Sequence, residues 1–555
     1  MSDRTFATHQ IRRAVPAPTL WDFAALDTDA PVPARLPVPS AWELVPALHN
    51  YRGCAHYTTR IRCGGNIRLS FGGVSFRARV LLDGNEIAQH YGAFTAFETV
   101  VRHLPDGEHA LTVEVDNRFG EDSALHVPND YYSYGGITRP VVIEQLPDVF
   151  VERVGITTKR AADGWTADIS ATIRNLADED ASADVTLTLA GQTFTQTAHI
   201  PADSTAIIRI PDAHYADVTA WTPDTPALYA LRAEIREGNQ VLDDLIDRVG
   251  FREISISGMD LLLNGEKLRL MGFNRHEEYG AFGCAVPLQA MAQDILMMKD
   301  MGCNCVRTCH YPNAPRFLDL CDEMGLLVWE EAHARGLQEE QMRNPNFMPQ
   351  TRQCVREMVA QHRNHPSIFI WGCLNECADN CDYGADCYRE VYALLHDLDA
   401  SRPMTAALLE RPGSLVYGDS DVVSVNIYPQ WYHNTPVAES LAQKLKEIRE
   451  HGGAGKPVII SEIGAGGIYG YHDPLGESKW SEERQCTILR NQVEAVLKNP
   501  ACSGVFLWQF ADCRVTEEWA MHRPKTHNNK GVVDEYRRPK MSYAVVKELF
   551  TKHRA

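Results

Sequence analysis

Two glutamates each follow a short apolar run that reads as a buried strand: Ser367 to Leu374 ends in Asn375-Glu376, and Pro457 to Ser461 ends in Glu462. Carboxylates on different strands are what glycosidic bond cleavage requires. One, protonated, donates to the leaving oxygen while the other attacks the anomeric carbon or activates water. The 86 residues between them (462 minus 376) are too many for a local helix pair and suit two strands of one barrel. Either glutamate alone reads more readily as a helix cap or an ion-pair partner. Other runs end in polar groups too: Asn304 to Thr308 near His310, Val423 to Asn426 before Tyr428 and Tyr432, and Gly504 to Trp508 before Gln509 and Asp512.

Such residues need a frame. From Ile254 onward, helical patterns (AMAQDILMMKDMG, PRFLDLCDEMG, QCVREMVAQHRN, YREVYALLHDLD) alternate with apolar runs (CNCVRTCH, LLVWEE, SIFIWGCLNE, DVVSVNIY, PVIISE, GVFLWQF). Strand followed by helix, repeated over about 300 residues, predicts a C-terminal (β/α)8 TIM barrel across 254–555, with active groups at the strand C-termini. An open doubly wound sheet is the alternative, but no G-x-G-x-x-G or P-loop pattern follows a strand. Upstream, period-two alternation in HYTTRIRC, FRARVLLDG and HALTVEVDN predicts a jelly-roll-like β-sandwich over 1–146. The alternation in WTADISATIRNL and ADVTLTLAG predicts an immunoglobulin-like β-sandwich over 147–253.

The chain of 555 residues carries 54 Lys and Arg against 73 Asp and Glu, a net charge of -19. That field repels nucleic acid and anionic membrane surfaces, so neither is expected as a partner, and an anionic ligand needs a local cluster of cations. No run approaches a membrane span, and the start, MSDRTFATHQIRR, lacks the apolar stretch of a secretory signal; a cytoplasmic location is expected. The 15 cysteines are expected to be reduced. Cys373, Cys377, Cys381 and Cys387, like Cys303, Cys305 and Cys309, match neither paired C-x2-C modules nor iron–sulfur runs, so no metal or other cofactor is expected.

The segments LLLNGEKLRLMGFNRHEE, CNCVRTCHYP, RNHPSIFIWGCLNE, PVIISEIG and FLWQFAD stand in an order that resembles glycoside hydrolase family 2, within its β-glucuronidase and β-galacturonidase (β-hexuronidase) branch. The resemblance covers nearly the whole chain. It implies a retaining, exo-acting β-D-hexuronidase in which Glu376 is the acid/base and Glu462 the nucleophile. Asn375 would meet the sugar 2-hydroxyl, and Tyr428 would lie beside the nucleophile. Asp130, in NDYYSYGGITR, would hold the 4-hydroxyl from the first domain. His310, Tyr432 and Trp508 would complete the pocket, with Trp508 a platform under the sugar. His276 and Arg307 could simply brace the barrel mouth.

Hexuronide-cleaving members of that family carry Asn-x-Lys after the last barrel strand, and Asn528-Asn529-Lys530 matches it. The ammonium would supply charge and the amide a directed donor to the sugar carboxylate. One departure from the family pattern stands out: WEEAHARG places Arg335 after the third strand. A guanidinium there could favour the axial 4-hydroxyl of galacturonate; alternatively Arg335 is a solvated loop charge or a partner of Glu330 or Glu331. Met342, Phe347 and Met348 could line an aglycone site or pack under their loop. The expected partner is a small-molecule or oligosaccharide β-hexuronide, and the chain is expected to form a homo-oligomer. A β-galactosidase of the same family and a non-catalytic carbohydrate-binding protein are the alternatives.

Overall fold

The computed structural model describes residues 3–554. The first unit is built on two long strands, Cys54–Phe71 and Phe97–Asp116, paired antiparallel from Cys54↔Asp116 to Phe71↔Phe97. Their register shifts on either side of Gly65, whose φ of +67° a glycine adopts without strain. On one side of the shift the pair is flanked by Leu20–Ala25 and Arg77–Leu82, on the other by Val141–Leu146. Side chains alternate along Cys54–Phe71, and the inward set joins Trp21, Trp42 and Val113 in a core of its own.

The second unit is a three-stranded sheet (Val149–Ala161, Gly164–Asn175, Thr205–Tyr215) against a four-stranded one (Gln192–Ile200, Ala181–Leu189, Tyr229–Glu237, Gln240–Val249). Val154, Trp165, Leu187 and Leu231 fill the space between them. This is the seven-strand immunoglobulin-like plan.

The third unit is a parallel barrel. Its strands are β1 (Leu270–Asn274), β2 (Cys305–Thr308), β3 (Leu327–Glu331), β4 (Ile368–Gly372), β5 in two pieces (Met404–Thr405 and Ala407–Leu408), β6 (Val423–Asn426), β7 (Val458–Ile463) and β8 (Gly504–Leu507). β1 pairs with both β2 and β8, and the two pieces of β5 join β4 on one side and β6 on the other, which closes the ring. The four helical patterns form Leu288–Asp300, Pro315–Met324, Phe347–His362 and Asp382–Leu398. Pro315 opens its helix, where a missing N–H costs nothing, and Gly325 ends it in the left-handed conformation at φ +71°.

Strand alternation sorts the barrel interior into layers. On β2, Cys305 joins an apolar cluster with Leu270, Leu327, Ile459 and Phe506, Val306 faces the helices, and Arg307 points inward again, one layer higher. Trp221, from the second unit, seals that apolar end and donates its indole N–H to the Asp322 carbonyl at 2.9 Å. Above it, Trp329 on β3 carries the Arg307 guanidinium 5.0 Å over its ring.

Candidate active site

Arg307 is the hub of the barrel's polar end. Its Nη1 donates to Glu462 Oε1 at 2.9 Å and Asn274 Oδ1 at 2.7 Å, and its Nη2 to Asn375 Oδ1 at 2.7 Å. Nε and Nη2 also grip Glu331, at 2.7 and 2.8 Å. Full burial of this guanidinium is sustainable only because two carboxylates and two amides saturate it.

Glu462 lies within β7 rather than after it. β7 pairs irregularly with both neighbours beside Glu462, between Val425 and Asn426 on β6 and between Ile460 and Ile463 on β7 itself. Its second oxygen accepts the Tyr428 hydroxyl at 2.6 Å. Burial, and then the charge of Glu376, push the Glu462 carboxyl up to about 7, while Arg307 and the Tyr428 hydrogen bond pull it back. Burial likewise raises Glu331 to about 7 against the pull of Arg307.

Glu376 comes from the loop after β4. It accepts Asn426 Nδ2 at 2.9 Å on one oxygen and Arg335 Nη2 at 3.3 Å on the other. Its backbone sits at φ +50°, a conformation that costs a residue with a side chain about 1 kcal/mol. Flanking bonds fix it there: Glu376 N to the Ala407 carbonyl (2.9 Å), Asn375 N to Ala334 (2.9 Å) and Gly336 N to Asn375 (2.8 Å). The same bonds tie the loop carrying Arg335 to the loop carrying Glu376.

Arg335 is therefore neither a solvated loop charge nor a partner of Glu330 or Glu331, which bond His362 and Arg307. Its Nη1 donates to Asn129 Oδ1 at 2.5 Å, and its Nη2 lies 3.2 Å from Asp130 Oδ1 as well as touching Glu376. Asn129 and Asp130 belong to the first unit and are held in the barrel mouth by Thr516, whose hydroxyl and amide both bond the Asn129 carbonyl. Asp130 Oδ2 accepts Arg523 Nη2 at 3.0 Å and Asn528 Nδ2 at 3.1 Å. Burial alone would raise the Asp130 carboxyl, but Arg335, Arg523 and Lys530 hold it well below its usual range.

Lys530 is 2% exposed. Its ammonium bonds the Tyr432 hydroxyl at 2.9 Å and lies within 6 Å of the Tyr428, Trp431 and Tyr432 rings. Among the described residues no carboxylate pairs with it at salt-bridge distance. Its loop is pinned by Asp512, which accepts Gly531 N (2.8 Å) and Lys540 Nζ (2.7 Å). Tyr432 itself is 56% exposed, at the rim.

His310, buried, points Nδ1 at Glu331 (3.1 Å) and stacks on Trp508 with centroids 5.1 Å apart. His276 points Nδ1 at the Tyr311 hydroxyl (3.2 Å) and lies edge-on to Trp508. Burial pushes His276 down to about 3 and His310 well below its ordinary range, so both rings are neutral. Trp508 is only 2% exposed. Asn375 Nδ2, Asn528 Oδ1 and the Nε2 atoms of His276 and His310 are all buried with no partner among the described residues. Buried polar atoms rarely stay unpaired, so these four mark groups made for a polyhydroxylated ligand.

The structure thus brings Glu376, Glu462, Asn375, Tyr428, His310, Trp508, Asp130, Arg335, Asn528, Lys530 and Tyr432 into one mouth. It adds four residues that the sequence reading passed over or left as braces: Arg307 as hub, Glu331, Asn426 and Arg523. Glu331 and Asn426 lie at the ends of β3 and β6, where the strand-end rule would have found them. Arg523 lies in an irregular loop with no pattern around it. Met342 and Phe347 do not line an aglycone site: both are fully buried in the barrel core, and Met348 packs against it. The helix Phe347–His362 needs that apolar face to dock on the barrel.

Residues 254–554 match the TIM barrel domain of glycosyl hydrolases family 2, and residues 149–252 match a second domain of that family. A Formosa agariphila relative that carries a β-glucuronidase name is 28% identical over 87% of this chain, which spans 62% of that relative's length. The β-glucuronidase of Streptococcus agalactiae is 28% identical, covering 87% of this chain and 84% of its own. Among solved structures, a β-galacturonidase of Eisenbergiella tayi bound to galacturonate is 46% identical, with a TM-score of 0.97 over 99% of both chains. The β-glucuronidase of Bifidobacterium dentium, complexed with coumarin-3-O-glucuronide, is 26% identical, with a TM-score of 0.87 over 98% of both. A barrel with two glutamates at its polar end, two sandwiches before it and a family match across more than half its length together place this chain in glycosyl hydrolases family 2.

Proposed function

We propose that the chain is a retaining, exo-acting β-D-hexuronidase whose preferred sugar is β-galacturonate. The observation that carries the uronate is Lys530: a buried cation without a carboxylate partner among the described residues, beside the tyrosine that holds Glu462, in a protein of net charge -19. A sugar carboxylate is the counter-charge that this position lacks, and Arg523 stands nearby as a second cation, on Asp130.

Glu462, ionised and held by Arg307 and Tyr428, attacks the anomeric carbon, while Glu376 protonates the leaving oxygen. Having given its proton to the leaving group, Glu376 is left as the carboxylate that takes a proton from the water attacking the glycosyl-enzyme, and Glu462 departs as a carboxylate. Asn375 has its carbonyl oxygen committed to Arg307, which turns Nδ2 toward the sugar 2-hydroxyl.

The choice of epimer in this reading rests on Arg335. Its guanidinium spans Asp130 and Glu376, so it lies along the wall between the group proposed to read the 4-hydroxyl and the acid/base. A planar donor there suits an axial 4-hydroxyl. The similarity to a β-galacturonidase at 46% identity supports the same choice. The test is a panel of nitrophenyl β-glycosides differing at C4 and C6: galacturonide, glucuronide, galactoside and glucoside. Galacturonide should have the highest kcat/KM. A galactoside turned over faster than both uronides would overturn the reading.

A further inference from the structure

Beneath the proposed sugar pocket, His276, Cys309 and His310 each offer one ligand atom, and the three atoms lie within 4.8 Å of one another. On both histidines Nδ1 is engaged, by Tyr311 and by Glu331, while Nε2 is buried and without a partner among the described residues. Cys309 is fully buried and its thiol makes no hydrogen bond among those the structure shows. The surroundings fix the rings: His276 packs 4.9 Å from Tyr131, His310 packs against Trp508, and the two rings are edge to face at 5.5 Å. Two imidazoles and a sulfur are the donor set of a three-ligand zinc site, in which a fourth position is taken by solvent or an anion.

We propose that His276, Cys309 and His310 bind one zinc ion, and that zinc bound there excludes the sugar. On binding, the Cys309 thiol releases its proton to solvent and sulfur donates as thiolate, so the complex gains a single positive charge. Glu331, Glu462 and Asp130 face that charge favourably, and Arg275, Arg307 and Arg335 oppose it. The donors must close by about 1 Å from their present spread to reach zinc–nitrogen distances of about 2.0–2.1 Å and a zinc–sulfur distance of about 2.3 Å. The site would act as an inhibitory one, distinct from any resident cofactor. Only the exclusion of sugar rests on the hexuronidase reading.

Calorimetric titration of Zn2+ into the full chain should find one tight equivalent. Cys309→Ala should weaken it at least about tenfold, since loss of a ligand exceeds the effect of disturbing an outer partner. X-ray absorption on the wild-type zinc complex should show one sulfur in the shell alongside nitrogen, a readout that stands even if the variant fails to fold. An unchanged affinity in a folded Cys309→Ala, or a shell of nitrogen and oxygen only, would overturn the proposal. Galacturonate added before zinc should compete. If zinc binds through sulfur and neither hexuronate competes, the cation site stands and the assignment of the pocket to hexuronate fails.

Discussion

The floor and the wall of this pocket are built on opposite principles. The floor comes from the barrel alone: Arg307, Glu331, Glu462, Asn274 and Asn375 are tied into one network by the ends of β1, β2, β3 and β7 and the loop after β4. Its central cation is saturated. The wall is assembled from two units, with Asn129 and Asp130 from the first sandwich and Arg335, Arg523, Asn528 and Lys530 from barrel loops. Its cations outnumber its carboxylates, and among the described residues Lys530 has only a phenol to hold. A saturated network fixes geometry, whereas an unbalanced one stores affinity for a charge yet to arrive. In this pocket the floor would perform the reaction and the wall would choose what reacts.

If that division is right, floor variants lower turnover on every substrate, and wall variants change which substrate is turned over. The largest effect is expected for Glu462→Gln, which removes the proposed nucleophile while keeping its hydrogen-bonding shape. Turnover of galacturonide and glucuronide should fall together by ~10⁴-fold or more. A loss confined to one of them would move Glu462 from floor to wall. Next is Lys530→Ala, which should lower kcat/KM on uronides by roughly 10²–10³-fold, the range for truncating one partner of a buried charge pair. Slow turnover of a nitrophenyl galactoside should be left nearly as it was; an equal loss on both would mean that Lys530 only braces its loop.

A smaller shift is expected from Arg335→Ala, a fall of roughly 10–100-fold in the galacturonide-to-glucuronide ratio of kcat/KM, from one charge-assisted hydrogen bond. An unchanged ratio would remove Arg335 from the reading of C4. The smallest is a change of pH profile. The Glu462 carboxyl is raised to about 7, chiefly by burial, so activity that needs it ionised should fall away as pH drops through about 7. The Tyr428 hydroxyl favours the ionised form, so Tyr428→Phe should move this acid limb of kcat/KM upward by about one pH unit. A downward move would contradict the donor role of that hydroxyl.

Much of the floor was legible in the sequence, because barrel strands announce themselves as apolar runs and their last residues point into the mouth. Glu376, Glu462, Asn375 and His310 were read that way. Two features blurred the rule. β5 is split into two-residue pieces, too short to leave a pattern, and irregular pairing beside Glu462 puts that residue inside its strand. The wall was less legible, since Asp130, Arg335 and Lys530 stand on loops where no periodicity operates; they came from resemblance to a family or from a departure from it. Arg523, in a loop without pattern, needed the fold. For Met342, Phe347 and Met348 the sequence left aglycone contact and packing both open, because an apolar residue that docks a helix and one that greets a leaving group look the same in one dimension; the structure has them packing.

The loop that carries Asn129 and Asp130 into the barrel mouth has a consequence for extended substrates. Bonded there to Arg335, Arg523 and Asn528, it would bound one side of the proposed exo-acting pocket, so that a chain would be reached from its tip. On a polymeric uronide such an enzyme would release sugar at a rate set by the number of chain ends, so reducing sugar would rise from the first minutes while the viscosity of the solution hardly fell.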